Sequence, residues 1–219
     1  MRINTVLTAG FAAALTANAS AALVQIDIYG VVDFNVIGGS HAGIPSGSPV
    51  HMGFQVDSDV FVNSGSFPTR GYTVIESSFT MTVGTASVTF DNPQPSPAYF
   101  VLRDNDPAVD GFYIAWGGIE LPFGLPITEA GLFGDPFEAA FSVGYTGDTL
   151  SSLDIAGAAG SYGYGSGGPG TLTSFYFNLV DLGFEVVGIE FTEMTISPVP
   201  APGTLLVASL GLALTRRRR

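Results

Sequence analysis

The sequence predicts an all-β domain, built as an antiparallel β-sandwich or jelly roll. Apolar and polar residues alternate with a period of two in most segments, as they do in strands that bury one face. The chain contains 29 glycines and 14 prolines among its 219 residues, and turn signals separate these segments at intervals of about ten residues. Together these observations predict about eight to eleven short strands, with neither βα alternation nor an internal repeat.

The first half of the chain contains the clearest strands. Residues 24–36 alternate over their whole length, with apolar side chains on the even positions and a bend expected at Gly30. Residues 52–57 are predicted to form a second strand, which residues 60–62 could continue after a break at residues 57–59. Residues 79–90 are predicted to form two strands, separated by a tight turn or bulge at Gly84. The even positions of the first strand are therefore expected to face the core.

The second half continues the same pattern with shorter strands. These are predicted at residues 99–102, 112–116, 139–145, 175–179 and 184–196. In the last of them the alternation slips near Glu193. Half of residues 157–170 are glycine, which predicts a flexible loop. The one helical turn is expected near residues 129–133.

The charge of the chain is distributed very unevenly. Between the two ends, only Arg70 and Arg103 oppose nineteen carboxylates, and the chain contains no lysine. Nucleic acids and anionic lipids both need a cationic surface, so neither is expected as a partner. Cysteine is absent, which excludes disulfides, thiolate metal sites and cysteine nucleophiles.

The N-terminus has the pattern of a secretory signal peptide. Arg2 precedes an apolar, alanine-rich run at residues 6–17, and small residues at 17–19 or 19–21 offer a site for signal peptidase. Residues 1–21 are therefore assigned to a signal peptide, and residues 22–197 to the β-domain.

The C-terminus, residues 198–219, has three parts. Prolines open it, an uncharged run follows at residues 204–215, and four arginines end it. A helix of that run would reach only about 18 Å, which is less than the ~30 Å of a bilayer core. The arginines should stop translocation, so the tail is expected to insert transiently into the inner membrane with the domain outside.

This tail resembles the PEP-CTERM sorting signal of Gram-negative bacteria, which combines a Pro-Glu-Pro motif, a hydrophobic helix and a basic cluster. The matching residues are Pro200, Ala201, Pro202, Arg216, Arg217, Arg218 and Arg219. Alanine stands where the family has glutamate. The resemblance implies cleavage by an exosortase-type enzyme and association with exopolysaccharide at the cell surface or in the extracellular matrix. An ordinary C-terminal tail anchor is the alternative.

The body segments HMGFQVDSDVF and VLRDNDPAVDGFY also resemble the β-rich domains that are carried in front of this signal. That resemblance implies no known activity. The second segment contains an acidic loop in which Asp104, Asp106 and Asp110 could ligate Ca²⁺ with carboxylate oxygens. The alternative is a solvated turn, in which aspartate and asparagine cap their own backbone.

No catalytic arrangement emerges from the sequence. His41 and His51 lie in or beside a loop and do not have the spacing of a helical zinc pair, so a structural or solvent-exposed role is expected. Ser166 lies in the glycine-rich loop and not in a nucleophile elbow. The protein is therefore expected not to be an enzyme.

Four aromatic residues could form a platform for sugar rings: Tyr113, Trp116, Tyr162 and Tyr164. By alternation Trp116 is expected in the core, whereas the two loop tyrosines are expected to be freer. The leading hypothesis is a secreted, non-enzymatic protein of the envelope or matrix. A calcium-dependent carbohydrate-binding module is the alternative, and a glycan hydrolase, which needs two carboxylates across a cleft, comes third.

Overall fold

The computed structural model describes residues 22–37, 43–90, 96–105, 109–130, 136–163, 170–180 and 185–200. These residues form twelve strands and one 3₁₀ turn, Glu76–Ser78, and the described part contains no α-helix. The strands are β1 (Leu23–Asn35), β2 (Pro49–Asn63), β3 (Thr69–Val74), β4 (Thr80–Val83), β5 (Ala86–Val88), β6 (Ala98–Arg103), β7 (Val109–Trp116), β8 (Leu125–Ala130), β9 (Pro136–Thr146), β10 (Gly160–Gly163), β11 (Thr171–Val180) and β12 (Val186–Pro198). The all-β class is confirmed.

Eight of the strands close into an antiparallel barrel. Their order is β1-β12-β11-β9-β7-β6-β3-β2, and β2 pairs back with β1. The remaining strands extend this sheet: β4 and β5 beyond β2, β8 on β9, and β10 on β12. The predicted sandwich or jelly roll is not confirmed. A period of two reports only that one face of each strand is buried, and a barrel interior satisfies it as well as the space between two sheets.

The first strand lies between β2 and β12 and pairs with both along most of its length. The pairing with β12 shifts register between Tyr29 and Gly30, opposite Glu193 and Phe191. The bend predicted at Gly30 and the slip predicted near Glu193 thus belong to the same irregularity. A second shift follows between Val32 and Phe34.

The tight turn predicted at Gly84 is confirmed. Gly84 adopts φ 61° in the turn between β4 and β5, a conformation that glycine reaches without steric cost. Two other predictions about secondary structure are wrong. Residues 160–163 of the glycine-rich segment form β10, which pairs with β12. Residues 129 and 130 lie in β8 because this segment pairs with β9 and bridges to Phe90, while residues 131–133 lie outside the described part.

The barrel interior is filled by side chains, and aromatic rings dominate it. Phe54 and Phe100 have ring centroids 5.6 Å apart, and Phe100 stacks on Phe112 at 5.9 Å. On another part of the wall, Phe141 contacts both Phe177 and Phe191. These rings are all at most 3% exposed. Burial on this scale supplies the main favourable free energy of folding.

A loop closes one end of the barrel. Residues 147–159 connect β9 to β10, and Leu150, Ile155 and Ala158 from this loop are buried in the main core. We call this segment the plug loop. Two buried tyrosines, Tyr72 on β3 and Tyr162 on β10, hold it through hydrogen bonds between their hydroxyl groups and its backbone.

Tyr72 makes the larger set of these contacts. Its hydroxyl donates to the Leu153 carbonyl at 2.7 Å and accepts the Ile155 N–H at 3.0 Å. Tyr162 on β10 donates to the Ala158 carbonyl at 2.6 Å. The plug loop is therefore positioned by specific hydrogen bonds as well as by apolar packing.

Candidate functional site

A groove opens on the outside of the barrel where β11 and β12 diverge. The two strands pair only through three residue pairs, from Asn178 with Gly188 to Val180 with Val186. Further along, β12 pairs with β10 instead. The resulting groove has a volume of about 550 Å³, within the ~300–1,000 Å³ of typical ligand sites.

Three large aromatic side chains line this groove and are exposed. Phe34 on β1 is 49% exposed, Phe175 on β11 is 40% exposed and Tyr176 is 48% exposed. The even position of Phe34 predicts that it faces the core, and that prediction is wrong. In β1 the register shifts between Val32 and Phe34, so alternation no longer defines there which side faces the core.

The ring of Phe34 lies against Gly188 of the neighbouring strand. The two residues are paired, and a Cβ atom on residue 188 would overlap the ring. Only glycine leaves enough space for this contact. One side of the ring is therefore covered by backbone, while about half of the side chain remains open to the groove.

Two carboxylates line the same groove. Asp33 lies near the end of β1 and Glu190 lies in β12; both side chains are exposed. Val31 is the register partner of Glu190, and Asp33 lies two residues further along β1, at the register shift. The groove thus combines aromatic rings with hydrogen-bond acceptors and carries negative charge.

The acidic loop predicted to bind calcium lies between β6 and β7. Asp110 is completely buried at the start of β7, and each of its carboxylate oxygens accepts one backbone N–H. The donors are Asn105 at 2.8 Å and Leu150 at 2.6 Å. This carboxylate therefore ties the β6–β7 loop to the plug loop. Asp106 lies outside the described residues.

Asp104 belongs to a cluster of like charges. Burial raises the pKa of its carboxyl, and the nearby charges of Asp110 and Asp148 raise this pKa further. The side-chain amide of Asn105 donates a hydrogen bond to the Asp104 carboxylate at 2.7 Å, and this bond lowers the pKa of Asp104. The backbone of Asn105 has φ 55°. Among the described residues no group of three or more acidic or histidine side chains is placed to hold a metal ion. Calcium binding at this loop stays a prediction.

The proposed aromatic platform does not form from the predicted residues. Tyr162 is only 4% exposed and packs on Phe112 in the core, so its assignment as a free loop residue is wrong. Trp116 packs against the core as expected, and Tyr113 is buried under the loop that carries Ile119. Tyr164 lies outside the described residues. The prediction of a loop rested on the glycine content of this segment. Tyr162 is buried because β10 pairs with β12, which the local sequence does not reveal.

His51 lies on the outer face of β2, and its partners were not predicted. Its Nε2 is 2.8 Å from Oδ1 of Asp27, and its ring stacks on Tyr29 with centroids 4.8 Å apart. Asp27 also accepts a hydrogen bond from Gln25. This is a partly exposed surface pair, which is typically worth less than about 1 kcal/mol. His41 lies outside the described residues.

The two ends of the described chain leave the barrel side by side. Val24 pairs with Pro198, and the N–H of Val199 donates to the Leu23 carbonyl at 2.8 Å. Pro200 is exposed directly beyond this pair. The predicted signal peptide at residues 1–21 and the predicted sorting-signal residues in 201–219, including Ala201, Pro202 and Arg216 to Arg219, lie outside the described residues.

Comparisons with known proteins leave the function open. No protein-family model matches this chain, and neither a curated protein nor a solved structure is significantly similar to it. In the described part of the chain, no helix is both long enough and apolar enough to cross a membrane. Any function must therefore be inferred from the residues and their geometry.

Proposed function

We propose that this chain is a secreted, non-enzymatic protein of a Gram-negative cell envelope or extracellular matrix, sorted by an exosortase-type system and associated with exopolysaccharide. Two terminal transport signals in the sequence suggest this pathway. In this proposal signal peptidase removes residues 1–21, and the processing enzyme cuts near Pro200 to Pro202 while the tail is held in the inner membrane. The body is then released to the cell surface or matrix.

One structural observation carries the proposal: the entry and exit of the barrel are adjacent. Leu23 and Val199 are hydrogen-bonded neighbours, so segments attached to both can meet the same membrane at the same time. The proline segment begins where β12 ends, and Pro200 is exposed. Proline removes a donor and favours extended backbone, which suits a segment that a protease must reach.

The charge of the body is consistent with this location. Two arginines against nineteen carboxylates give residues 23–197 a formal charge of −17. Such a surface keeps a secreted domain soluble and prevents adhesion to anionic membranes. The basic residues needed for membrane orientation are concentrated in the terminal segments.

Substitution of the four terminal arginines tests the sorting pathway. A variant with serine at residues 216–219 loses the stop signal. We expect this protein to keep its uncleaved tail and to be absent from the matrix fraction. A matched variant with lysine at the same positions retains the positive charge and should be sorted like the wild type. Normal sorting of the serine variant would contradict the proposal.

A calcium-dependent carbohydrate-binding module is the second candidate. It is favoured by the charges of Asp110 and Asp148, which both act on the Asp104 carboxyl. The pKa of Asp104 is raised first by burial and then by repulsion, and a divalent cation would relieve the repulsion. Against it, both carboxylate oxygens of Asp110 already accept backbone hydrogen bonds. The non-enzymatic matrix protein is therefore the better supported function.

A further inference from the structure

The groove between β11 and β12 has the chemistry of a sugar-binding surface. Sugar rings present C–H faces that stack on aromatic rings, and their hydroxyl groups donate hydrogen bonds to carboxylates. The groove offers three exposed aromatic side chains and two carboxylates within one volume of about 550 Å³. Exposed aromatic surface is costly in water, so its concentration at one place points to a binding role.

Phe34 is held in a position suited to stacking. Gly188 supports one side of its ring, and the register pairing of the two residues fixes the ring on the strand. A ring that is already fixed loses little conformational entropy when a ligand stacks on it. Tyr176 is 48% exposed on β11, which lies on the other side of β12, and it adds a phenol hydroxyl.

Charge limits the class of sugar. Asp33 and Glu190 bring negative charge into the groove, and the whole body carries an excess of carboxylates. An acidic polysaccharide would be repelled within the screening distance of about 8 Å at physiological salt. Neutral sugars avoid this repulsion, and the ammonium group of an amino sugar would pair with the carboxylates.

The groove also lies away from the chain ends. It is lined by Phe34 near the end of β1 and by Gly188 near the start of β12, whereas Leu23 and Pro198 occupy the opposite ends of the same strands. At about 3.3 Å per residue, Leu23 and Phe34 are separated by roughly 35 Å. With both terminal segments at a membrane, the groove would face outward.

We propose that this groove binds a polysaccharide chain made of neutral or amino-substituted sugars. Phe34 and Tyr176 stack on its rings, and Asp33 and Glu190 accept hydrogen bonds from its hydroxyl or ammonium groups. The ligand class rests on the proposed function, because a protein retained in an exopolysaccharide matrix needs a surface that binds sugar chains. An extended peptide bound along β11, beyond its three pairs with β12, is the competing occupant.

Titration calorimetry on the purified full chain tests the proposal, with a soluble β-glucan, chitosan and alginate as probes. We expect binding to the glucan or to chitosan and none to alginate. Tyr176→Ala and Phe34→Ala should each weaken binding about tenfold or more. Phe67→Ala is the matched control, because Phe67 is also 49% exposed but lies outside the groove, and it should bind like the wild type.

The Phe34→Ala variant uncovers Gly188 and could fail to fold. In that case Tyr176→Ala alone tests whether the groove is the site. Wild-type affinity in a folded Tyr176→Ala variant would overturn the groove as the site, even if polysaccharide binds elsewhere. Binding to alginate alone, or to a basic extended peptide and to no sugar, would also overturn it. Absence of any sugar binding by a protein whose tail is correctly processed would refute the groove while leaving the sorting function intact.

Discussion

Removal of one hydroxyl group, in Tyr72→Phe, should loosen the plug loop measurably. Tyr72 is 0% exposed, and its hydroxyl both donates to the Leu153 carbonyl and accepts the Ile155 N–H. The substitution keeps the ring and its packing against Phe61 but leaves two backbone groups of the loop without their partner. The perturbation is therefore confined to hydrogen bonding.

The expected cost follows from those two backbone groups. A buried group that loses its hydrogen-bond partner costs about 1–3 kcal/mol, and the carbonyl on the outer part of the loop can recover some of this from water. We expect Tyr72→Phe to lower the free energy of unfolding by about 2–3 kcal/mol. For a domain of this size that corresponds to a melting temperature lower by about 5–10 °C.

Two other tyrosines provide graded controls in the same core. Tyr162 makes one hydrogen bond to the plug loop, so Tyr162→Phe should cost about 1 kcal/mol. The buried hydroxyl of Tyr145 has no hydrogen-bond partner among the described residues, so Tyr145→Phe should be neutral or slightly stabilising. All three changes remove the same atom from a ring that is at most 4% exposed.

Thermal and urea unfolding of the three variants measure this series, and limited proteolysis within residues 147–159 reports whether the plug loop is the part that loosens. The order of cost should be Tyr72, then Tyr162, then Tyr145. A cost for Tyr145→Phe equal to that of Tyr72→Phe would refute the reasoning, because the effect would then arise from ring packing. Unchanged proteolysis of the loop in Tyr72→Phe would contradict its anchoring by this hydroxyl.

Three further predictions address calcium, catalysis and pH. The calcium hypothesis predicts that added calcium raises the melting temperature of the wild type and not of Asp104→Asn; scanning calorimetry without any shift in the wild type would refute it. A non-enzymatic protein should release no reducing ends from a polysaccharide, and a release abolished by Asp33→Asn or Glu190→Gln would overturn this assignment. Burial raises the pKa of Tyr162 from 10.0 to about 12. The Tyr162 hydroxyl therefore ionises first in the unfolded chain, so its contribution to stability is complete below pH 10 and is lost between pH 10 and about 12. Tyrosinate absorbance and the free energy of unfolding, both measured at rising pH, should detect this loss. The stability of Tyr162→Phe should depend less on pH in this range.

Strands with uninterrupted alternation could be predicted from the sequence. Residues 24–36 and 79–90 were located correctly because a half-buried strand repeats its polarity every second residue. The missed strands lack that signal. In β3, Gly71 interrupts a six-residue strand, and β10 is a four-residue strand that begins and ends with glycine. Both exist because neighbouring strands pair with them, and that long-range cause leaves no local pattern.

Closure of the barrel and the groove were beyond prediction for a related reason. The first and last strands pair with each other although most of the described sequence lies between them, and local periodicity does not encode such a contact. Phe34 was expected in the core by its even position, but a register shift turns it outward. The pairing with Gly188 could be recognised only after the partner strand was known. The acidic loop was located correctly, whereas the use of Asp110 as a cap for the plug loop required the fold.

The most direct test of the proposed export and sorting is mass spectrometry of the intact protein recovered from the extracellular material of the producing bacterium. The proposal predicts a chain that begins near residues 20–22, ends near residues 198–203 and lacks all four terminal arginines. A chain recovered there with an intact C-terminus through Arg219 would contradict processing by an exosortase-type enzyme.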